Sequence, residues 1–272
     1  VTYAAAETSV EGGSPQQLFE FSYMGRVLAF TNGPADLVID GRTFLATTIA
    51  HSDFEDTDEI ARNDITVTVP RDNAAAELFR IAPPSETVLL TIFEVHADDV
   101  DEEKKPVWTG RVMNGDWRGL AASLRCESIY TSLKTPGLRR LYQRNCGHVL
   151  YGPRCRLSNL TYQVSIGVEV VNGITLEAAT LAEQVDGYYD GGYAEWESTP
   201  GLIDRRAVRS HIGAVITITH PFVGMEAGAT IKVYPGCDHT LATCHAKFAN
   251  SANFGGFPNM PKKNPFAGTS LA

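Results

Sequence analysis

The sequence predicts a mainly β protein in two parts. The first is a β-rich domain over residues 1–134. The second, over 135–272, is a small β-barrel or sandwich with short helices that carries a four-cysteine metal site. Three observations predict this. Short runs of β-formers succeed one another between Gly, Asn and Pro residues. Asn172-Gly173 gives the strongest hairpin signal in the chain. The character of the sequence also changes near residue 135.

Taken in order, Gln17 to Phe21, Arg26 to Phe30 and Asp64 to Val69 read as strands, each rich in β-branched or aromatic residues. A helix is predicted from Asn73 to Ile81, and Pro83-Pro84 forbids its extension. Thr87 to His96 and Val107 to Trp117 are further strands, and the acidic run Asp98 to Glu103 between them reads as a solvated hairpin tip. That run lacks the glycine and alternating ligand positions of a calcium loop.

At TPGLRRLYQRNC, Thr135 offers an N-cap and Pro136 a first helical residue, so a helix is predicted there with Arg139, Arg140 and Arg144 on it. Beyond it, Tyr162, Val164, Ile166, Val168 and Val170 alternate as one strand face leading into the Asn172-Gly173 turn. Gly192 to Trp196, Ala214 to Thr219 and Ala229 to Tyr234 complete the predicted strands. The second part thus divides into a ligand loop at 135–160, an inserted β-domain at 161–234, and a ligand loop and helix at 235–272. No repeat of solenoid length emerges.

Composition excludes several classes. The apolar content of 43% and charged content of 20% are those of a globular chain able to bury a core. No apolar run approaches the roughly 18 residues of a membrane span. The start, VTYAAAETSV, has neither a basic n-region nor an apolar h-region. Synthesis in the cytosol is therefore expected, where thiols stay reduced. Net charge is −9, but residues 1–103 carry 20 Asp and Glu against 5 Lys and Arg. Such an acidic half repels phosphates, so no specific nucleic-acid binding is expected. There is no G-x-S-x-G, no H-E-x-x-H and no phosphate-binding glycine loop, and no enzyme is predicted.

The five cysteines are unevenly placed. Cys146 and Cys155 bracket CGHVLYGPRC, Cys237 and Cys244 bracket CDHTLATC, and Cys126 stands alone in a predicted strand, where it reads as a core residue. Four thiolates can complete a tetrahedral zinc site or the corners of an iron–sulfur cluster. Brackets longer than zinc knuckles favour the bulkier centre. Two local disulfides are the alternative in an oxidising setting, and His148, His239 and His245 are candidate substitute ligands. Thr240 offers an N-cap to a helix with Leu241, Cys244 and Phe248 on one face, placing Cys244 where the dipole favours a thiolate. Arg139, Arg140, Arg144, Arg154, Arg156 and Lys247 could balance the charge of such a centre. Gly147, Gly152 and Gly236 could bring backbone N–H groups to sulfur, and Phe254 and Phe257 could cap it against solvent.

The spacing C-x8-C…C-x6-C resembles that of the tail-tip protein L family of lambda-like long-tailed phages. The stretches PGCDHTLATCHAKFANSANFGGFPNMP, TPGLIDRRAVRSH and CGHVLYGPRC are similar to those of the related hub proteins of siphophages and gene transfer agents. The resemblance is specific over about residues 135–265 and diffuse over 1–134. It implies a structural minor tail protein, made in the host cytoplasm and assembled into the virion at the tail tip. It further implies a homotrimeric tail hub between the distal tail protein ring and the central receptor-binding hub. The C-terminal domain would hold a 4Fe-4S cluster on Cys146, Cys155, Cys237 and Cys244, and Cys126 has no counterpart in the pattern. A zinc-stapled four-cysteine binding module is the alternative, and a redox-active iron–sulfur protein the enzyme-class rival.

Overall fold

The computed structural model describes residues 2–9, 13–54, 64–137 and 141–261. The chain is mainly β and divides into two compact units, Val1–Pro136 and Gly137–Ala272. Among the described residues, no helix is long and apolar enough to cross a membrane.

The first unit opens on a short helix, α1 (Tyr3–Glu7), and then builds one nine-stranded sheet. Its strands are β1 (Pro15–Tyr23), β2 (Arg26–Thr31), β3 (Leu37–Ile39), β4 (Arg42–Ala46), β5 (Ala50–His51), β6 (Ile65–Pro70), β7 (Val88–His96), β8 (Lys105–Arg118) and β9 (Ala121–Ser128). They lie in the order β3-β4-β2-β1-β7-β8-β9-β6-β5, and the β2–β4 pairing is parallel. Alternation along the strands turns Phe19, Phe21, Leu90, Ile92 and Leu124 into one core, each fully buried. Cys126 belongs to that core, opposite Ile65 on β6 and Val112 on β8. Burial pushes its thiol up to about 12, so it stays protonated and inert at neutral pH.

Two predicted elements of this unit differ in detail. The helix after Asn73 is shorter than predicted: α2 covers Ala74–Glu77, with the Asn73 side chain accepting the Ala75 N–H at 2.9 Å. The acidic tip is not wholly solvated. Asp99 is 8% exposed and accepts the N–H groups of Asp101 and Glu103, while the Glu102 carboxylate accepts the Asp40 N–H at 2.8 Å. The predicted helix beginning at Thr135 is absent from the described residues. Thr135 instead ends a 3-10 turn, Ile129–Lys134, and residues 141–146 form no helix. Arg139 and Arg140 lie outside the described residues.

The second unit is one antiparallel sheet of seven strands, after a short helix α3 (Asn159–Tyr162). Its strands are β10 (Val164–Gly167), β11 (Val170–Asn172), β12 (Thr175–Glu177), β13 (Tyr193–Thr199), β14 (Leu202–Ile212), β15 (Val215–Ile218) and β16 (Thr230–Tyr234). They run in the order β10-β16-β13-β14-β15-β12-β11, and α4 (Leu241–Ala246) follows. The Asn172-Gly173 turn is present, with Gly173 at φ 59°, and joins β11 to β12. The predicted strand before it is split. Val164 and Val170 are exposed while Ile166 and Val168 are buried, because β10 pairs with β16 and only β11 enters the hairpin.

In the first unit β3, β4 and β5 went unpredicted, and in the second unit β14 did. β14 is the longest of the unit, and its sequence LIDRRAVRSHI hides its apolar alternation behind charges. Those charges are paired on the sheet: Arg205 Nε meets Glu195 Oε1 at 2.6 Å, and Arg206 meets Asp204 at 3.3 Å. The Tyr234 hydroxyl donates to Glu195 Oε2 at 2.7 Å.

Candidate metal centre

Sheet order explains how two distant cysteine brackets meet. Antiparallel pairing sets Val164, at the start of β10, against Val233, near the end of β16. Chain entering β10 and chain leaving β16 therefore lie at one end of the sheet. The first bracket precedes β10 and the second follows β16, so closing the sheet brings the brackets together.

Cys146, Cys155, Cys237 and Cys244 all line one small cavity, of about 20 Å³, with Leu150, Leu157 and Phe248 among its walls. All four are free thiols, so neither local disulfide is formed. Among the described residues, no group of three or more His, Cys, Asp or Glu side chains converges closely enough to hold a single ion. Cys146 also lines, with His148, Leu150 and His239, an open groove of about 750 Å³.

Protein contacts hold the two brackets in register. The Cys146 N–H donates to His239 O at 2.8 Å, and the Tyr151 hydroxyl to Pro235 O at 2.8 Å. Asn250 Nδ2 donates to Cys155 O at 2.7 Å, while the Asn250 N–H donates to Cys244 O at 3.0 Å. Four non-glycine residues around the brackets adopt positive φ: Tyr151 at 58°, Arg156 at 60°, His239 at 62° and Ala249 at 48°. Such conformations are strained and persist only where surrounding contacts enforce them.

The donors to sulfur are not those predicted. The His239 N–H approaches Cys237 Sγ at 3.3 Å and the Gly255 N–H approaches Cys146 Sγ at 3.3 Å. Gly147, Gly152 and Gly236 donate to no sulfur. Gly236 serves close packing instead, since a Cβ there would stand 1.8 Å from Asp190 O. Nor do the predicted phenylalanines cap the cavity. Phe257 stacks on Tyr142 with ring centroids 3.7 Å apart, and Phe248 takes the place against the thiols.

Electrostatics also departs from expectation. Thr240 caps α4 by accepting the Thr243 N–H at 3.2 Å, as its sequence predicts. Yet the Cys244 thiol is pushed up, first by burial and then by Cys237, Cys146 and Cys155. Burial likewise raises Cys237 against the pull of the His239 N–H. Six helical residues supply too little dipole to overcome desolvation among neighbouring thiols. A soft metal centre would relieve this by taking all four as thiolates.

Of the predicted balancing cations, Arg144, Arg154 and Arg156 are exposed, and Arg144 donates to Pro258 O at 3.2 Å. Lys247 is half-buried and donates to Tyr188 O and to Gly236 O. Of the histidines, His148 and His239 border the cavity, while exposed His245 contacts Ser251 Oγ at 3.2 Å.

Sequence reasoning missed an aromatic layer beneath the site. The Tyr151 ring lies 6.0 to 6.4 Å from those of Tyr162, Tyr193, Tyr234 and Phe248, and Tyr193 stacks on Tyr234 at 4.3 Å. The one available signal was Tyr151 itself, an aromatic residue inside a cysteine bracket otherwise rich in turn-formers.

The fold has known counterparts. Residues 187–264, which include the second bracket, match the family described as phage conserved hypothetical protein BR0599. An uncharacterized protein of Xylella fastidiosa (strain 9a5c) is 25% identical over 174 residues, 59% of this chain. The chain spans 36% of that relative's length. A chain from the virion of a native gene transfer agent particle shares the fold, with a TM-score of 0.77 at 20% identity, over 96% of this chain and 92% of that one. Residues 22–158, half of the chain, match the family described as baseplate hub protein, N-terminal attachment domain, and the chain belongs to that family.

Proposed function

We propose that the chain is a structural protein of the tail tip of a long-tailed phage or gene transfer agent. Three copies form a hub between the distal tail ring and the central receptor-engaging hub. One 4Fe-4S cluster, held by Cys146, Cys155, Cys237 and Cys244, staples the C-terminal unit. Membership of the hub attachment family and the fold shared with a virion chain support the structural role. The acidic first 103 residues suit a wall that passes DNA without holding it. Three copies should surround the tail axis, and cryo-microscopy of tails checks this; six copies, or copies in the capsid, would overturn it.

The observation that carries the cluster is the meeting of four thiols from two distant brackets around one small cavity. Thiolates are soft ligands suited to iron–sulfur centres and zinc alike. A lone zinc ion would have to draw all four sulfurs to about 2.3 Å. A cluster would offer each sulfur its own iron.

Anaerobic purification with iron supplied, followed by iron, acid-labile sulfide and zinc analysis, separates the two. Four irons and four sulfides per chain are expected, in a brown protein. Stoichiometric zinc without sulfide would establish the zinc-stapled module instead.

A further inference from the structure

We propose that Lys247 is the built-in counter-charge of the four-thiolate centre and governs how firmly the protein retains it. This rests on the reading of the four cysteines as metal ligands. Among the described residues, it is the cation near the brackets in sequence that the fold carries inward. The arginines at 144, 154 and 156 are exposed to water, which screens them.

Lys247 follows α4 directly, three residues after Cys244. Its ammonium lies over the rings of Tyr188, 4.2 Å from the centroid, and Phe248, 5.5 Å away. Both of its hydrogen bonds go to carbonyl oxygens, those of Tyr188 and Gly236. Among the described residues it forms no salt bridge. The carboxylates of Asp190 and Asp238 act on its charge from beyond ion-pair distance.

A partly buried cation satisfied only by carbonyls and aromatic faces still lacks a full counter-charge, which is costly in a desolvated site. Four thiolates around a divalent ion or a cubane cluster leave a net negative centre with the complementary need. Phe248 connects the two, since it lines the thiol cavity and its ring centroid lies 5.5 Å from the ammonium. Gly236 O, which Lys247 holds at 2.8 Å, belongs to the residue just before Cys237. The ammonium therefore acts on the second bracket both by charge and by fixing its backbone.

Two substitutions separate these effects. Lys247→Gln retains an N–H donor without charge, and Lys247→Arg retains the charge. In anaerobically purified full-length protein, release of the bound metal to a chelator should be about tenfold faster in Lys247→Gln than in wild type. Lys247→Arg should stay close to wild type. If the centre is an iron–sulfur cluster, its reduction potential should also fall in Lys247→Gln, because a positive charge beside it is gone. Release and potential unchanged in Lys247→Gln would overturn the proposal. So would equal losses in both variants with lowered melting temperatures, which would make Lys247 a structural staple only. Wild-type protein holding neither zinc nor iron with sulfide would refute the metal centre itself, and this inference with it.

Discussion

Cys244→Ser should strip the protein of its metal and its colour, whereas Cys126→Ser should leave both intact. Cys244 is 8% exposed, lines the thiol cavity and sits on a helix that the Thr240 cap and the Lys247 hydrogen bonds hold in place. A serine there offers a hard hydroxyl of high pKa where a soft thiolate is needed, and three sulfurs cannot close the set. Cys126 is 2% exposed in the core of the first unit, so its replacement costs packing alone. Metal content and visible absorption of anaerobic preparations check both. A Cys244→Ser protein with full iron and sulfide would exclude Cys244 as a ligand.

Loss of the centre should also loosen the second unit more than the first, because metal ligation closes a long connection between the brackets. The contacts from Cys146 to His239, Tyr151 to Pro235 and Asn250 to Cys155 narrow where that loosening falls. Faster hydrogen exchange is expected at 141–157 and 235–261, with the seven-stranded sheet less affected.

Much of this was legible in the chain because it depends on local chemistry. Val88–His96 alternates, Asn172-Gly173 takes a positive-φ turn, and Thr240 caps a helix, each through residues within a few positions of one another. What failed depended on distant partners. β14 hid because its Arg205 is neutralised by Glu195, a strand away. The Tyr162–Val170 alternation misled because β16 claims its first half. The thiol brackets were visible in the spacing, but their N–H donors were not. Gly255 reaches Cys146 from far along the chain, and Gly236 is a glycine for a reason that sulfur has no part in.

That reason makes Gly236→Ala the most damaging single methyl in the second unit. The second bracket leaves β16 by crossing the chain at Asp190 to Gly192, where β13 begins. The approach is reciprocal: a Cβ on Gly236 would stand 1.8 Å from Asp190 O and 2.3 Å from Gly192 N, and one on Gly192 would stand 2.0 Å from Tyr234 O. These are backbone atoms of the turn before β13 and of the end of β16, so no side chain can rotate aside. Either the 235–237 segment moves, displacing Cys237 from the other three thiols, or the β13–β16 pairing opens. The cost should reach about 3 kcal/mol, the upper end for overpacking, because the obstacle is rigid. Gly167→Ala is the matched control, since a Cβ there meets nothing within 4 Å. Its effect should stay within about 0.5 kcal/mol. Denaturant unfolding followed by hydrogen exchange over 160–261 reads the difference, and metal content reports whether Cys237 has moved. Gly236→Ala protein with unchanged stability and full metal would show that the chain crossing is looser than these distances require.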